Sequence, residues 1–235
     1  MKPLIKLRVE KAFFLERVNR FSVRVRSGER VLPLHLTNTG RLHDLLRRGI
    51  EVVYLKRRTA KTAGRLVGVV VAGGVAVIDT WTQTYAFEEA FRQRLIPWLG
   101  DFRLKGREAV VGGSRVDYVF EDPAGGSVYL ELKSAVYMNN SGGAMYPDTV
   151  SERGRKHIKL ITALAEKHSA KIVFVAAHPL AEFFTPCDEA DPLVRKLLIK
   201  AAHAGVDVRA VKTFMDSSGA VYWSSSDLPV VLDPS

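Results

Sequence analysis

At 235 residues, 47% hydrophobic and 26% charged, the chain is long enough for one large domain or two small ones, each able to bury a core. No apolar run reaches the roughly 20 residues of a membrane-spanning helix, and Met1–Arg8 lacks the unbroken apolar stretch of a signal peptide. The single cysteine, Cys187, excludes an intrachain disulfide framework and a cysteine-rich zinc site. A cytoplasmic protein without a membrane partner is the expectation, and Cys187, with no base beside it, reads as a partly buried thiol. With only four Asn and two Gln, the chain is poor in thermolabile side chains, which suggests a thermophilic source.

The net charge of +10 is unevenly spread. Residues 1–82 hold 17 Lys/Arg against 6 Asp/Glu, whereas residues 83–235 hold 18 against 19. All the positive surplus therefore lies in the first third, as in a polyanion-binding module joined to something of different character. A merely solubilising basic surface would carry the same charge.

In chain order, period-two alternation predicts strands at Phe21–Val25 and, more loosely, Val31–Leu36. Arg41–Arg48 reads as a short helix closed by Gly49. Strands follow at Glu51–Leu55, Arg65–Val71 and Val75–Ile78, the last two joined through a Gly73-Gly74 hairpin signal. Five short strands and one short helix suit a small barrel of the oligonucleotide-binding (OB) type over residues 1–82. From residue 83 the rhythm changes. Phe87–Ile96 is an amphipathic helix stopped by Pro97, and two acidic strands follow, Val116–Phe120 and Val128–Lys133. Asn139–Asp148 reads as a mobile loop able to close over a substrate. Thr149 and Glu152 have capping-box spacing for a helix to about His168. A buried strand at Lys171–Ala177, a helix from Asp191 to Ala204 and a strand at Val206–Val211 complete a mixed α/β domain over 83–235.

The two acidic strands carry the chemistry. A hairpin brings Asp117 near Glu131 and Lys133, and residues two apart on a strand share a face. Two carboxylates suit Mg²⁺ (or Mn²⁺), which binds hard oxygens and keeps waters and substrate phosphate. A nearby ammonium can stabilise developing negative charge. The bland alternative is a cross-strand salt bridge on a solvated hairpin. For nucleic acid, Arg17, Arg20, Lys56, Arg57, Arg58 and Lys61 are candidate phosphate contacts, which would confer no sequence preference. Asn38-Thr39-Gly40-Arg41 joins a turn signal to a cation, and either a structural turn or a contact from Asn38 and Arg41 fits it. Phe13, Phe14 and Phe21 read as core or as base-stacking rings. Arg153 and His157 stand four apart on one helical face beside Lys156, and all three are candidate contacts to a phosphate or scissile strand, while His157 fits equally as the structural partner of a carboxylate.

Asp117 followed 14 residues later by Glu131-Leu132-Lys133 resembles the core of the PD-(D/E)XK nuclease superfamily. Along nearly its whole length the chain is similar to the sugar fermentation stimulation protein A (SfsA) family. The stretches that carry this are Asn19–Phe21, Leu36–Leu42, Gly113–Tyr118, Glu131–Ser134, Tyr146–Val150, Arg153–His157 and Asp191-Pro192. Leu132 stands where the family often has Val, and Tyr146 where it commonly has Phe. The resemblance implies an OB-fold domain followed by a nuclease-like α/β domain. It also implies DNA binding without marked sequence preference and a proposed role in regulating sugar metabolism. Carried over by position, Asp117 and Glu131 become metal ligands and Lys133 the catalytic lysine. Glu89 becomes a further ligand from the preceding helix, with Glu88 beside it as the alternative. A non-catalytic DNA-binding scaffold and an RNA-binding or RNA-processing protein fit the same basic domain.

Overall fold

A computed structural model describes residues 1–233, so residues 234–235 of the second domain lie outside it. After β1 (Ile5–Lys6) come β2 (Val9–Asn19), β3 (Ser22–Ser27), β4 (Arg30–His35), β5 (Glu51–Lys56), β6 (Gly64–Val71) and β7 (Gly74–Val77). β2 to β6 form a five-stranded barrel ordered β4-β3-β2-β5-β6, closed by the parallel pair β4–β6 at Leu34↔Gly64 and His35↔Arg65. Its core follows the pleat. Val23 and Val25 are fully buried while Arg24 and Arg26 between and after them face solvent.

The predicted helix at Arg41–Arg48 does not form; the segment is a run of turns. Eight residues are too few to nucleate a helix unaided. Instead Leu42 adopts a left-handed φ of 54°, its N–H donates to Asp148 Oδ2 at 2.8 Å, and Leu42 and Leu45 bury against the barrel. The long strand β2 went unpredicted because bulges after Phe14 and Arg17 break its alternation.

The second domain continues with α1 (Thr80–Arg92), β8 (Arg103–Val111), β9 (Ser114–Glu121), β10 (Ser127–Ala135), β11 (Tyr137–Met138), β12 (Gly143–Tyr146), α2 (Glu152–Leu164), β13 (Ser169–Ala176), β14 (Phe183–Pro186), α3 (Pro192–His203), β15 (Asp207–Met215) and β16 (Ala220–Leu228). Its sheet runs β15-β13-β10-β9-β8, with β16 on β15, and one residue pair, Val75↔Met215, links it to β7. β10, β13 and β15 are parallel, and β13 is buried on both faces from Ile172 to Ala176. Along β13, Val173 and Val175 pack into the core that holds Ala86, Phe87 and Ala90 of α1. Ile172, Phe174 and Ala176 pack the other way, with Ile158 and Ile161 of α2 and Val194 and Leu198 of α3.

Three details differ from the sequence reading. α1 begins at Thr80, not Phe87, because Asp79 caps it, accepting from Thr82 N at 3.0 Å. α2 is capped by Ser151, which accepts from Gly154 N at 3.1 Å, not by Thr149. Within Asn139–Asp148, Gly143–Tyr146 form β12, which pairs with both β11 and β14 rather than lying in a free loop. Among the described residues no helix is long and apolar enough to cross a membrane.

Candidate active site

β9 and β10 pair in register only as far as Leu130↔Tyr118. Beyond that point β10 stays with β13, while β9 stays with β8. Asp117 sits in the fork, its Oδ2 accepting from Leu132 N at 2.7 Å. The carboxylate thus takes a backbone donor that the β9–β10 ladder no longer uses. Glu131 and Lys133, two apart, project from the same face of β10, toward α2. His157, buried on α2, bonds Glu131 through Nδ1, and Lys133 Nζ bonds the same oxygen, Oε1. Glu131 Oε2 is buried and has no hydrogen-bond partner.

These groups tune one another. Burial, then the charge of Glu131, raises the Asp117 carboxyl from an ordinary 3.8 to about 6. Burial would raise Glu131 too, but the hydrogen bond from His157 and the charge of Lys133 outweigh it, and the net shift is downward. Burial pulls the Lys133 ammonium down, yet Glu131, Tyr146 and Asp117 outweigh that, so it stays charged. Without a cation, then, Asp117 is the strained member of the cluster.

A raised carboxyl contributes stability that is present below 3.8 and lost as pH climbs through about 6. His178, lowered from 6.5 to about 4 by burial and by Lys212, acts with the opposite sign in an overlapping window, since its unfolded form takes up protons that its folded form refuses. Global stability therefore hides both. We expect Asp117→Asn to isolate one: relative to wild type it should gain up to about 3 kcal/mol between pH 4 and pH 7 in cation-free buffer. Urea melts of both proteins at the two pH values check this; an unchanged difference would refute the strain.

The fork opens into a cleft of about 1300 Å³ between barrel and nuclease-like domain. Arg20, Asn38, Arg153 and His157 line it, as do Asp117, Glu131 and Lys133. Several of the predicted contacts are engaged within the protein or lie outside the cleft. Arg17 is turned inward, donating to the carbonyls of Gly40, Arg41, Arg20 and Asn38, so it shapes the loop rather than awaiting a phosphate. Asn38 is buried; its Oδ1 accepts from Gly40 N at 2.9 Å and its Nδ2 donates to Ser134 Oγ at 3.4 Å. Gln83 Nε2 donates to the same Ser134 hydroxyl at 2.9 Å, so Asn38 is part of the joint between domains. A side chain on Gly40 would lie 2.4 Å from both Asp148 oxygens, which shows how tightly that joint is packed. Arg41, Lys56, Arg57, Arg58 and Lys156 are exposed but outside the cleft wall, and Lys56 pairs with Glu10 at 2.8 Å. Phe14 is core; Phe13 and Phe21 are exposed.

Glu89 is corrected. Its carboxylate is buried away from the cleft and bound by Arg92 and Gln93. Glu88 is the acid of α1 that faces the cleft, held by Arg107 at 2.7 and 2.9 Å and by Tyr118 Oη at 3.0 Å. The helical period decides this: Trp81, Tyr85 and Glu88 form one stripe, and Glu89 is turned about 100° from it. Trp81, Tyr85 and Arg107 are among the cleft residues that periodicity alone did not bring out. A count of every third and fourth residue back from Glu88 would have found the two rings.

Two family models match, the sugar fermentation stimulation protein RE domain over residues 82–219 and the SfsA N-terminal OB domain over residues 15–78. The chain belongs to the SfsA family. A sugar fermentation stimulation protein homolog of Pyrococcus furiosus is 40% identical over 89% of this chain and 91% of its own. One from Archaeoglobus fulgidus is 37% identical over 92% and 93%. The solved structure of Pyrococcus furiosus SfsA in complex with Ca²⁺ superposes with a TM-score of 0.94 at 37% identity, over 98% of this chain and 100% of that one. The SfsA fold is therefore the arrangement described above, an OB-like barrel on a nuclease-like α/β body. Among the described residues no group of three or more His, Cys, Asp and Glu side chains forms a ready metal cage. The donors present, Asp117 and the free Oε2 of Glu131, are the one or two carboxylates that suffice for a hard cation which keeps its waters.

Proposed function

We propose that the chain binds DNA without marked sequence preference and cleaves its phosphodiester backbone with Mg²⁺ or Mn²⁺ held by Asp117 and Glu131. The observation that carries this reading is Glu131 Oε2, a buried carboxylate oxygen with no partner beside a second, pKa-raised carboxylate. An orphaned buried acceptor is costly unless something binds it. The Ca²⁺ in the solved relative adds support, since Ca²⁺ and Mg²⁺ both seek oxygen ligands. When bound, the cation would polarise a phosphoryl oxygen and lower the pKa of a water.

The protein's own groups do the rest. His157 fixes the orientation of Glu131 through Oε1, leaving Oε2 without a protein partner. Lys133, charged and nearly buried, faces negative charge developing on the phosphate, where low exposure strengthens its field. Arg20 and Arg153 are free on the cleft wall to hold flanking phosphates. The acid of α1 that faces the cleft is Glu88, so Glu88→Gln should lower cleavage several-fold while Glu89→Gln leaves it unchanged; equal effects in a cleavage assay would reject that ordering.

The deciding experiment is calorimetric titration of Mg²⁺ and Mn²⁺ into wild type and Glu131→Gln, alongside cleavage of labelled single- and double-stranded DNA with and without the cation. Binding to wild type that Glu131→Gln abolishes, together with cation-dependent cleavage, supports the reading. The pairing of His157 and Lys133 with Glu131 Oε1 also suits a second reading, a DNA-binding scaffold without turnover. No cation binding and no cleavage would leave that one standing.

A further inference from the structure

The aromatic residues of the cleft point to the form of its substrate. Phe21, Trp81 and Tyr85 are 54%, 52% and 51% exposed, and all three line the cleft that holds Lys133. Half-exposed rings scattered singly over a surface are ordinary; three on one cleft, beside arginines, are not scattered. Trp81 and Tyr85 stand four residues apart on α1, so their Cα atoms are about 6 Å apart along its axis.

Trp81 is also fixed in place. The Arg65 guanidinium lies 4.7 Å from its ring centroid, and Arg65 is itself held by buried Asp79 at 3.1 Å. The His35 ring packs at 5.8 Å. One side of the indole is thus braced by a cation while half its surface remains open. A ring pre-set in this way loses little freedom when a partner stacks on it.

Resting on the reading of this cleft as a nucleic-acid site, we propose that it takes an unpaired strand, with bases stacked on Trp81, Tyr85 and Phe21 and the backbone passing Arg20 and Arg153 toward Lys133. Paired bases keep their faces inside the stack, where these rings cannot reach them; bases of a single strand are free to turn out onto aromatic side chains. Trp81 and Tyr85 leave α1 about 6 Å apart along its axis, farther than the 3.4 Å step of a stacked strand, and a stretched strand can bring successive bases to them. Stacking on a ring face favours no particular base, which agrees with binding that ignores sequence.

The test uses the full chain in chelator-containing buffer at one fixed salt concentration, with labelled oligothymidylate and oligouridylate of about 12 nucleotides and a duplex of equal length. Trp81→Ala and Tyr85→Ala should each weaken strand binding by about 5- to 150-fold and leave duplex binding unchanged. Trp81→Phe, which keeps a ring, should restore most of the loss. Oligothymidylate and oligouridylate compare the two sugars, and tighter binding of either one than of the duplex supports the proposal. Strand affinity unchanged in both alanine variants, or an equal loss on the duplex, overturns it while leaving the nuclease reading intact. No binding of any of the three probes overturns both.

Discussion

Lys133→Ala is expected to slow cation-dependent cleavage by roughly 10²- to 10³-fold, the usual cost of removing one preorganised charge at a developing anion. Lys133 has a side chain only 11% exposed, it points into the cleft from the same face as Glu131, and its surroundings hold it charged. Glu131 keeps His157 when the lysine is gone, so the carboxylate remains paired and the loss should fall on rate rather than on folding. DNA affinity should change little, because the rings and the wall arginines remain. Single-turnover cleavage at saturating protein, measured beside affinity, separates the two quantities. A variant that cleaves as fast as wild type would remove Lys133 from the mechanism.

Asp79→Ala should be among the most destabilising single changes in the chain, by about 3–5 kcal/mol. The carboxylate is fully buried and serves three elements at once. It accepts from Thr82 N and Oγ1 at 3.0 and 2.6 Å, capping α1. It accepts from Thr37 Oγ1 at 2.8 Å, on the barrel, and pairs with Arg65 of β6. Loss of the cap alone costs about 1 kcal/mol. The larger part comes from Arg65, only 16% exposed, left without its counter-charge. Asp79→Asn keeps an acceptor for the cap and should cost less. Urea unfolding measures both; an alanine variant within about 1 kcal/mol of wild type would show that barrel and body do not depend on this joint.

Much of the site was legible beforehand because strand geometry is local. Side chains alternate with period two, so Glu131 and Lys133 had to share a face wherever β10 was placed. The barrel strands at Ser22–Ser27 and Glu51–Lys56 announced themselves in the same way, by alternating or β-branched residues. β8 was missed because it is an exposed edge, with a bulge between Leu104 and Gly106 and a left-handed Glu108 at φ 48° that interrupt any period. β16 was missed because Ser224-Ser225-Ser226 imitates a turn.

The sequence by itself determined which groups are chemically available: two carboxylates and an amine at strand spacing, behind a basic first domain. Tertiary structure decided which of them meet. Glu88 and Glu89 are adjacent, both acidic and both helical, and only the packing of α1 against the sheet turns the first to the cleft and the second away. Asn38 resembles a nucleic-acid contact until the barrel docks on the body and engages it in the joint, and Arg17 until the barrel's own loop turns it inward. His157 becomes the partner of Glu131 only across 26 residues of chain, when α2 lies over β10. Periodicity is a property of a few neighbouring residues and can be read along the chain; pairing is a property of surfaces brought together by burial, and exists only once the layers have packed.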